Sequence, residues 1–113
     1  MSSEVERYDE AIQLQQNGRL EEAVAKLEQL TADYPDYALA HAALSVFYQK
    51  LQRNDEAVEH AGKVCELEPE DPFSFVAMST ICQKAGRISE AERALAQAHQ
   101  AQMASYRQGQ NRS

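Results

Sequence analysis

Histidine side chains are the groups in this sequence best suited to bind a metal or to move protons near neutral pH. The chain contains three of them: His41, His60 and His99. None has a second histidine at metal-ligand spacing. Glu56 shares a helix face with His60, a spacing that is more typical of a weak side-chain pair than of a metal site. The sequence therefore predicts no metal site.

The remaining reactive groups are two cysteines, Cys65 and Cys82, which follow no metal or redox spacing. Two packed thiols in a reducing compartment are the expected arrangement. The sequence also lacks a Gly-rich phosphate loop, a nucleophile elbow and a His-Glu-x-x-His pattern. Because no group of residues is arranged for proton or group transfer, we expect neither an enzyme nor a bound cofactor.

Composition restricts the partners and the location. The 113-residue chain has the length of one domain and a formal net charge of -7. Binding to a phosphate backbone needs clustered lysine and arginine, so no nucleic-acid partner is expected. No apolar run reaches the roughly 18 residues of a membrane span, so no membrane partner is expected either. Residues 1–7 resemble no cleaved secretion signal, which predicts a cytoplasmic protein.

A 34-residue repeat organises the elements that carry these side chains. Arginine recurs at this interval at Arg19, Arg53 and Arg87. The same interval separates further matching residues: Ala23, Ala57 and Ala91, Pro35 and Pro69, and Gln15, Gln49 and Gln83. This spacing defines three units, 4–37, 38–71 and 72–105. Together they predict a single domain over residues 1–108 and a short flexible tail over 109–113.

Each unit is predicted to form two helices. Gly18 and Gly86 are placed to end first helices in the left-handed conformation. Gln52 occupies the matching position in the second unit and predicts a turn that is strained or differently wound. Second helices are predicted over 20–33, 54–68 and 89–108, the last continuing to Gly109. No strand pattern competes with these helices.

Helix starts are predicted from residues that accept hydrogen bonds from unpaired backbone amides. Asp36 and Asp71 are expected to cap the first helices of units two and three, with Pro72 in the first helical position. Capping boxes are predicted at two further starts, Ser3 with Glu6 and Ser89 with Glu92.

These residues resemble the tetratricopeptide repeat (TPR) family, whose helix–turn–helix unit has the same length. The small positions of the family match Ala11, Ser45 and Ser79 in first helices and the repeated alanines in second helices. The family's aromatic position near the start of the first helix is kept only by Phe75, with Arg7 and His41 in the other units. The resemblance implies an all-α fold, a right-handed α-solenoid of three TPR hairpins.

First helices in such a solenoid present one face to a concave groove. The resemblance implies that the following residues line it, and we call them the predicted groove: Val5, Tyr8, Ile12, Gln15, Gln16, Leu39, Ala42, Val46, Gln49, Lys50, Phe73, Val76, Thr80, Gln83 and Lys84. An exposed apolar surface with one basic end is typical of a site for an amphipathic helix or extended peptide. The sequence thus predicts a non-catalytic protein-protein interaction adaptor or scaffold.

Two other functions remain open. The chain is also compatible with a self-associating scaffold, a homodimer formed through the groove or through the last helix along Leu95, Ala98, Met103 and Tyr106. A small chaperone that shields an apolar client segment is the second alternative. The family's two-carboxylate clamp for acidic chaperone tails is not expected, because no cationic residue occupies the matching positions: Tyr8, Ile12, Ala43, Phe73 and Ala77.

Overall fold

The computed structural model describes residues 3–111, with side chains described as far as Gly109. Six helices follow one another along the chain: α1 (Glu4–Gln16), α2 (Leu20–Asp33), α3 (Ala38–Lys50), α4 (Asn54–Leu67), α5 (Pro72–Lys84) and α6 (Ile88–Asn111). Consecutive helices pack against each other, and α3 also contacts α5, so three hairpins stack side by side. No strand occurs among the described residues, and the predicted all-α solenoid is confirmed. Within the same span, no helix is both long and apolar enough to cross a membrane.

Two of the predicted helix caps are present. The Ser3 hydroxyl accepts a hydrogen bond of 3.2 Å from the N–H of Glu6 at the start of α1. The Asp71 carboxylate accepts one of 3.0 Å from the N–H of Phe73, with Pro72 in the first helical position of α5. Each acceptor satisfies a backbone amide that has no partner within its helix.

The other two predicted caps are wrong. The N-cap of α3 is Tyr37 rather than Asp36, and no side chain caps that helix. Helix α6 begins at Ile88, so Ser89 lies inside its first turn. The backbone sets the start of α6, because the carbonyl oxygen of Arg87 accepts the N–H of Ala91 at 3.0 Å, as the carbonyl oxygen of Arg19 accepts that of Ala23 at the start of α2. These second helices therefore begin directly after the arginine.

All three hairpin turns are wound alike. Gly18 has φ of +81°, Gly86 of +77° and Gln52 of +60°, so the glutamine adopts the same left-handed conformation as the glycines. In the middle turn the N–H of Arg53 donates to the carbonyl oxygen of Tyr48 at 2.9 Å, closing a Schellman-type cap. The turn at Gln52 is therefore strained rather than differently wound. The strain arises because the Cβ atom of a left-handed residue crowds the following carbonyl.

Small residues allow the helices to approach closely. Ala23 and Ala57 are fully buried, and Ala11, Ser45 and Ser79 are buried in first helices. The large side chains between them are enclosed completely, namely Leu27, Leu30, Leu44 and Cys82. Burial of such side chains contributes about 2 kcal/mol each, which makes these contacts the main source of stability.

Helix α6 extends beyond the third repeat. It runs to Asn111, two residues past its predicted end at Gly109, while residues 112 and 113 of the expected tail lie outside the described part. Leu95 and Met103 are exposed, as predicted for an outward face. Ala98, which was expected on the same face, is buried instead.

We expect Gln52→Gly to stabilise the protein by about 0.5–1 kcal/mol. Glycine removes the Cβ crowding of a left-handed residue, and this gain exceeds the added conformational freedom of the unfolded chain. Urea unfolding would measure the change. Gln29→Gly, at an exposed position inside α2, is the control and should destabilise by a similar amount. Destabilisation by both variants would contradict the strain at Gln52.

We expect Leu44→Ala to destabilise the protein by about 2–5 kcal/mol, because it leaves a cavity in the fully buried core. Leu39→Ala on the same helix removes the same atoms from an exposed side chain and should change stability by less than about 0.5 kcal/mol. The two midpoints in one urea titration test this difference. Equal effects would show that α3 is oriented differently.

Candidate binding groove

A cleft of about 290 Å³ separates α3 from α5, and we call it the α3–α5 cleft. Five residues of the predicted groove line it: Ala42, Val46, Gln49, Thr80 and Lys84. They lie on the sides of α3 and α5 that face away from the core, and Val46 remains 43% exposed. Helical periodicity places residues 42, 46 and 49 on one side of α3. The expected gathering of residues from units two and three is therefore present.

The sequence reasoning missed part of this lining. Ala61 and Val64 of α4 also face the cleft, together with Ser45, Ser74, Ala77 and Ile81. Only first helices were expected to contribute, yet α4 lies behind α3 and α5 and is reached between them. A signal for this existed, because Ala61 stands where the other repeats have Leu27 and Leu95. The shorter side chain leaves room where a leucine would fill the space.

The other apolar residues of the predicted groove lie outside this cleft. Phe73 is 77% exposed and Val76 is 44% exposed, while Val5 and Leu39 are also exposed. These four side chains are available on the surface without being enclosed. Exposed apolar side chains on first helices are candidates for contact with a partner.

Unit one contributes less to the surface than expected. Tyr8 and Ile12 are half-buried and pack against the core. The Tyr8 ring lies edge-on to the ring of Tyr37, with centroids 6.1 Å apart. Gln15 is half-buried, whereas Gln16 is exposed. The physical reason is that aromatic rings gain from mutual packing, which turns Tyr8 toward the junction with the second hairpin.

The charged end of the predicted groove is basic. Lys84 lines the α3–α5 cleft and Lys50 is exposed on the neighbouring helix. The Lys50 ammonium lies 5.9 Å from the centroid of the Phe47 ring. Within the described part of the chain, neither lysine forms an ion pair with an acidic side chain. Gln83 is exposed in the same last turn of α5.

A polar cluster on the other side of α3 was not anticipated from the sequence. His41 Nδ1 and His60 Nδ1 lie 3.0 Å apart, and His41 Nε2 lies 2.9 Å from the carbonyl oxygen of Pro35. His60 Nε2 lies 3.0 Å from Glu28 Oε1, which also accepts the Tyr48 hydroxyl at 2.8 Å. We call these side chains, His41, His60, Glu28 and Tyr48, the histidine cluster. It joins α2, α3 and α4.

The cluster joins residues far apart in the sequence, so helix spacing alone could not reveal it. One signal was available: His41 replaces an aromatic residue at a packed position of the repeat. Its burial is the main reason that the pKa of His41 lies below its usual value. Burial likewise raises the pKa of Tyr48 to about 12. Both groups are therefore held in their neutral forms.

The two thiols are poorly suited to nucleophilic chemistry. Burial raises the pKa of Cys65 to about 11 and also raises the pKa of Cys82. The thiolate is the reactive form, so both cysteines are protonated at neutral pH. Among the described residues, no three or more histidine, cysteine or acidic side chains are grouped to hold a metal ion.

Comparisons with known proteins show which solved structures share this fold. No curated protein matches the sequence. A crystal structure of MamA superposes with a TM-score of 0.82 at 18% identity, covering 93% of this chain and 61% of MamA. The second TPR of Spaghetti (RPAP3), solved bound to the HSP90 peptide SRMEEVD, gives a TM-score of 0.75 at 19% identity, covering 87% of this chain and 91% of that one. At such identities the shared feature is the fold.

The sequence itself carries the family assignment. The model of the tetratricopeptide repeat matches residues 14–73, which is more than half of the chain. This segment contains α2, α3 and α4, the helices that form the histidine cluster and the back of the α3–α5 cleft. The repeat spacing, the stacked hairpins and this match agree that the chain belongs to the tetratricopeptide repeat family.

Proposed function

We propose that this protein is a non-catalytic adaptor that binds an apolar helix or extended segment of a partner protein in the predicted groove. The observation that carries the proposal is the α3–α5 cleft, in which the exposed Val46 stands above a mostly apolar lining. Val76 and Phe73 extend this apolar surface along α5. Water solvates such a surface unfavourably, whereas a partner's apolar side chains would remove it from solvent.

The two lysines at the end of the groove indicate the charge expected on the partner segment. Lys84 and Lys50 form no ion pair among the described side chains, so an acidic residue of the partner would find an available cation at this end of the groove. A segment with apolar anchors and one acidic end therefore fits the site. Shielding of an apolar client segment by a small chaperone would use the same surface.

A purely acidic tail fits less well. The second TPR of Spaghetti (RPAP3) holds the HSP90 peptide SRMEEVD. In this chain the positions matching the family's carboxylate clamp include Tyr8, Ile12 and Ala77, which cannot donate a charge-assisted hydrogen bond. We also propose a cytoplasmic location and no nucleic-acid or membrane partner. The net charge of -7 supports the part that concerns nucleic acid, because it disfavours contact with a phosphate backbone.

We expect Val46→Glu to weaken binding of groove ligands at least about tenfold, because a carboxylate would have to be desolvated beside apolar anchors. The ligands would be peptides selected from a random library against the wild-type chain, and fluorescence anisotropy would give their Kd values. They should carry apolar anchors and an acidic residue, and circular dichroism should show unchanged helix content in the variant.

Leu95→Glu is the matched control, because Leu95 on α6 is also 43% exposed but lies outside the groove. It should leave peptide affinity unchanged, and the peptide SRMEEVD should bind neither protein measurably. Selected peptides that bind Val46→Glu as tightly as the wild type, or that lack apolar residues, would rule out the proposed site.

A second candidate function is self-association through α6. Ile88, Leu95 and Met103 are exposed large apolar residues at intervals of seven and eight, so they form one stripe. In the repeat, Leu95 corresponds to Leu27 and Ala61, both of which are buried. The last hairpin therefore presents a surface that a following element covers elsewhere in the solenoid.

The opposite end of the solenoid differs. Glu6, Asp9 and Glu10 of α1 take the repeat positions of Ala40, Ala43 and Leu44. These carboxylates disfavour head-to-tail stacking of copies, because the apolar stripe on α6 of one copy would meet the carboxylates on α1 of the next. Two copies joined symmetrically through their α6 helices would match apolar surface with apolar surface.

We expect Leu95→Glu to weaken a dimer of this kind at least about tenfold, because the symmetry places two carboxylates in one interface. Light scattering after size exclusion, over a range of concentrations, gives the mass of the wild type and the variant. Val46→Glu serves as the control and should dimerise like the wild type. A monomeric wild-type mass at every concentration would exclude this function.

A further inference from the structure

The hydrogen bonds of the histidine cluster determine where its protons lie. The carbonyl oxygen of Pro35 can only accept, so His41 Nε2, at 2.9 Å, must carry a hydrogen. Glu28 Oε1 accepts the Tyr48 hydroxyl at 2.8 Å and lies 3.0 Å from His60 Nε2. Since Oε1 is the acceptor of the Tyr48 hydroxyl, the hydrogen of its contact with His60 is placed on His60 Nε2.

These two assignments leave an excess of lone pairs. A neutral imidazole has one N–H, so with Nε2 protonated in both rings each Nδ1 bears only a lone pair. The two Nδ1 atoms nevertheless lie 3.0 Å apart, the distance of an N–H···N hydrogen bond. Two lone pairs at this distance repel, whereas one added proton converts the contact into a hydrogen bond.

We propose that His41 and His60 bind one proton between their Nδ1 atoms, and that this proton joins α3 to α4 while Glu28 links the pair to the first hairpin. The pair then carries a single positive charge, held on His60 beside the Glu28 carboxylate. All four ring nitrogens are satisfied in this state, which connects the α2–α3 loop through α3 and α4 to α2. The site is independent of the predicted groove and of its partner.

The surroundings favour one proton rather than none or two. Glu28 of α2 attracts the charge, and the Tyr48 ring of α3 stacks on His60 with centroids 5.7 Å apart. On α4, Lys63 opposes further positive charge, while Glu59 and Glu66 line the open cleft of about 470 Å³ beside both histidines. Arg53 and Glu56 face the other side of Tyr48 and offset each other.

Burial of His41 explains which ring stays neutral. Desolvation is the largest cause of the lowered pKa of His41, and the charge of the nearby His60 lowers it further. For a folded-state pKa below the unfolded value of about 6.5, the contribution to stability is present above that pH and is lost as the pH falls below it. A second proton, bound in acid, therefore weakens the contact between His41 and His60. Loss of the shared proton in base leaves the two Nδ1 lone pairs facing each other.

A divalent metal is the alternative occupant of the two lone pairs. Zinc sites in proteins use three or four side-chain ligands, and the described residues contain no group of three that could hold a metal. A separation of 3.0 Å also matches a hydrogen bond directly. The observations therefore favour the proton.

Long-range proton–nitrogen NMR on the ¹⁵N-labelled full chain tests the proposal, because nitrogen shifts distinguish N–H from a lone pair. At about pH 7.5, where two free imidazoles would carry little more than two N–H groups between them, we expect three N–H groups among the four ring nitrogens of the pair. The shared proton should lie on His60 Nδ1, with the His41 Nδ1 lone pair accepting its hydrogen bond, and should leave as one step on raising the pH. Only two N–H groups at that pH would overturn the proposal.

Two variants supply a second measurement. His60→Gln should abolish the loss of thermal stability on the alkaline side of the wild-type pH profile, whereas His99→Gln, on α6, should retain the whole profile. A His60→Gln profile identical to that of the wild type would contradict a shared proton. The NMR measurement on the wild type decides the question even if His60→Gln does not fold. Shifts of both Nδ1 signals on adding equimolar Zn²⁺ would assign the pair to a metal instead.

Discussion

Close approach of helices at small residues is the constraint on which this solenoid depends. Ala23, Ala57 and Ala91 lie at the same point of successive hairpins and are almost inaccessible to solvent. A larger side chain there would separate the two helices of a hairpin and push their buried leucines apart, since interiors are packed too densely to absorb extra methylene groups. The spacing between hairpins, the cleft between α3 and α5 and the contact between His41 and His60 all follow from this packing distance.

Helix α3 shows how one helix can serve two surfaces. Its core side carries Leu44 and Tyr48, and its outward side carries Val46 next to the α3–α5 cleft. The histidine cluster lies on the core side, at the junction with the first hairpin. The two surfaces share one helix, but the histidine cluster and the lining of the α3–α5 cleft have no side chain in common.

The two ends of the stack are unequal. The first helix places carboxylates where α3 places alanine and leucine, and it can therefore face water at little cost. The last helix exposes Ile88, Leu95 and Met103 instead. A solenoid with one polar and one apolar end has a direction in which it can be extended or paired. The apolar end is distinct from the α3–α5 cleft, so the molecule has two surfaces whose burial would be favourable.

Most of the fold could be predicted from the sequence, because Arg19, Ala23 and Pro35 recur at a 34-residue interval without insertion. A repeat of this length is typical of stacked helical hairpins. The differences are local: Tyr37 and Arg87 directly precede α3 and α6, where Asp36 and Ser89 are the predicted caps. The tertiary structure decided which side chains meet. It brought Ala61 behind the cleft, turned Tyr8 toward Tyr37 and joined His41 to His60 across nineteen positions of sequence. Periodicity reports the face of a helix that is buried, whereas the partner across that face depends on how far and at what angle the hairpins stack, which no spacing within a single helix contains.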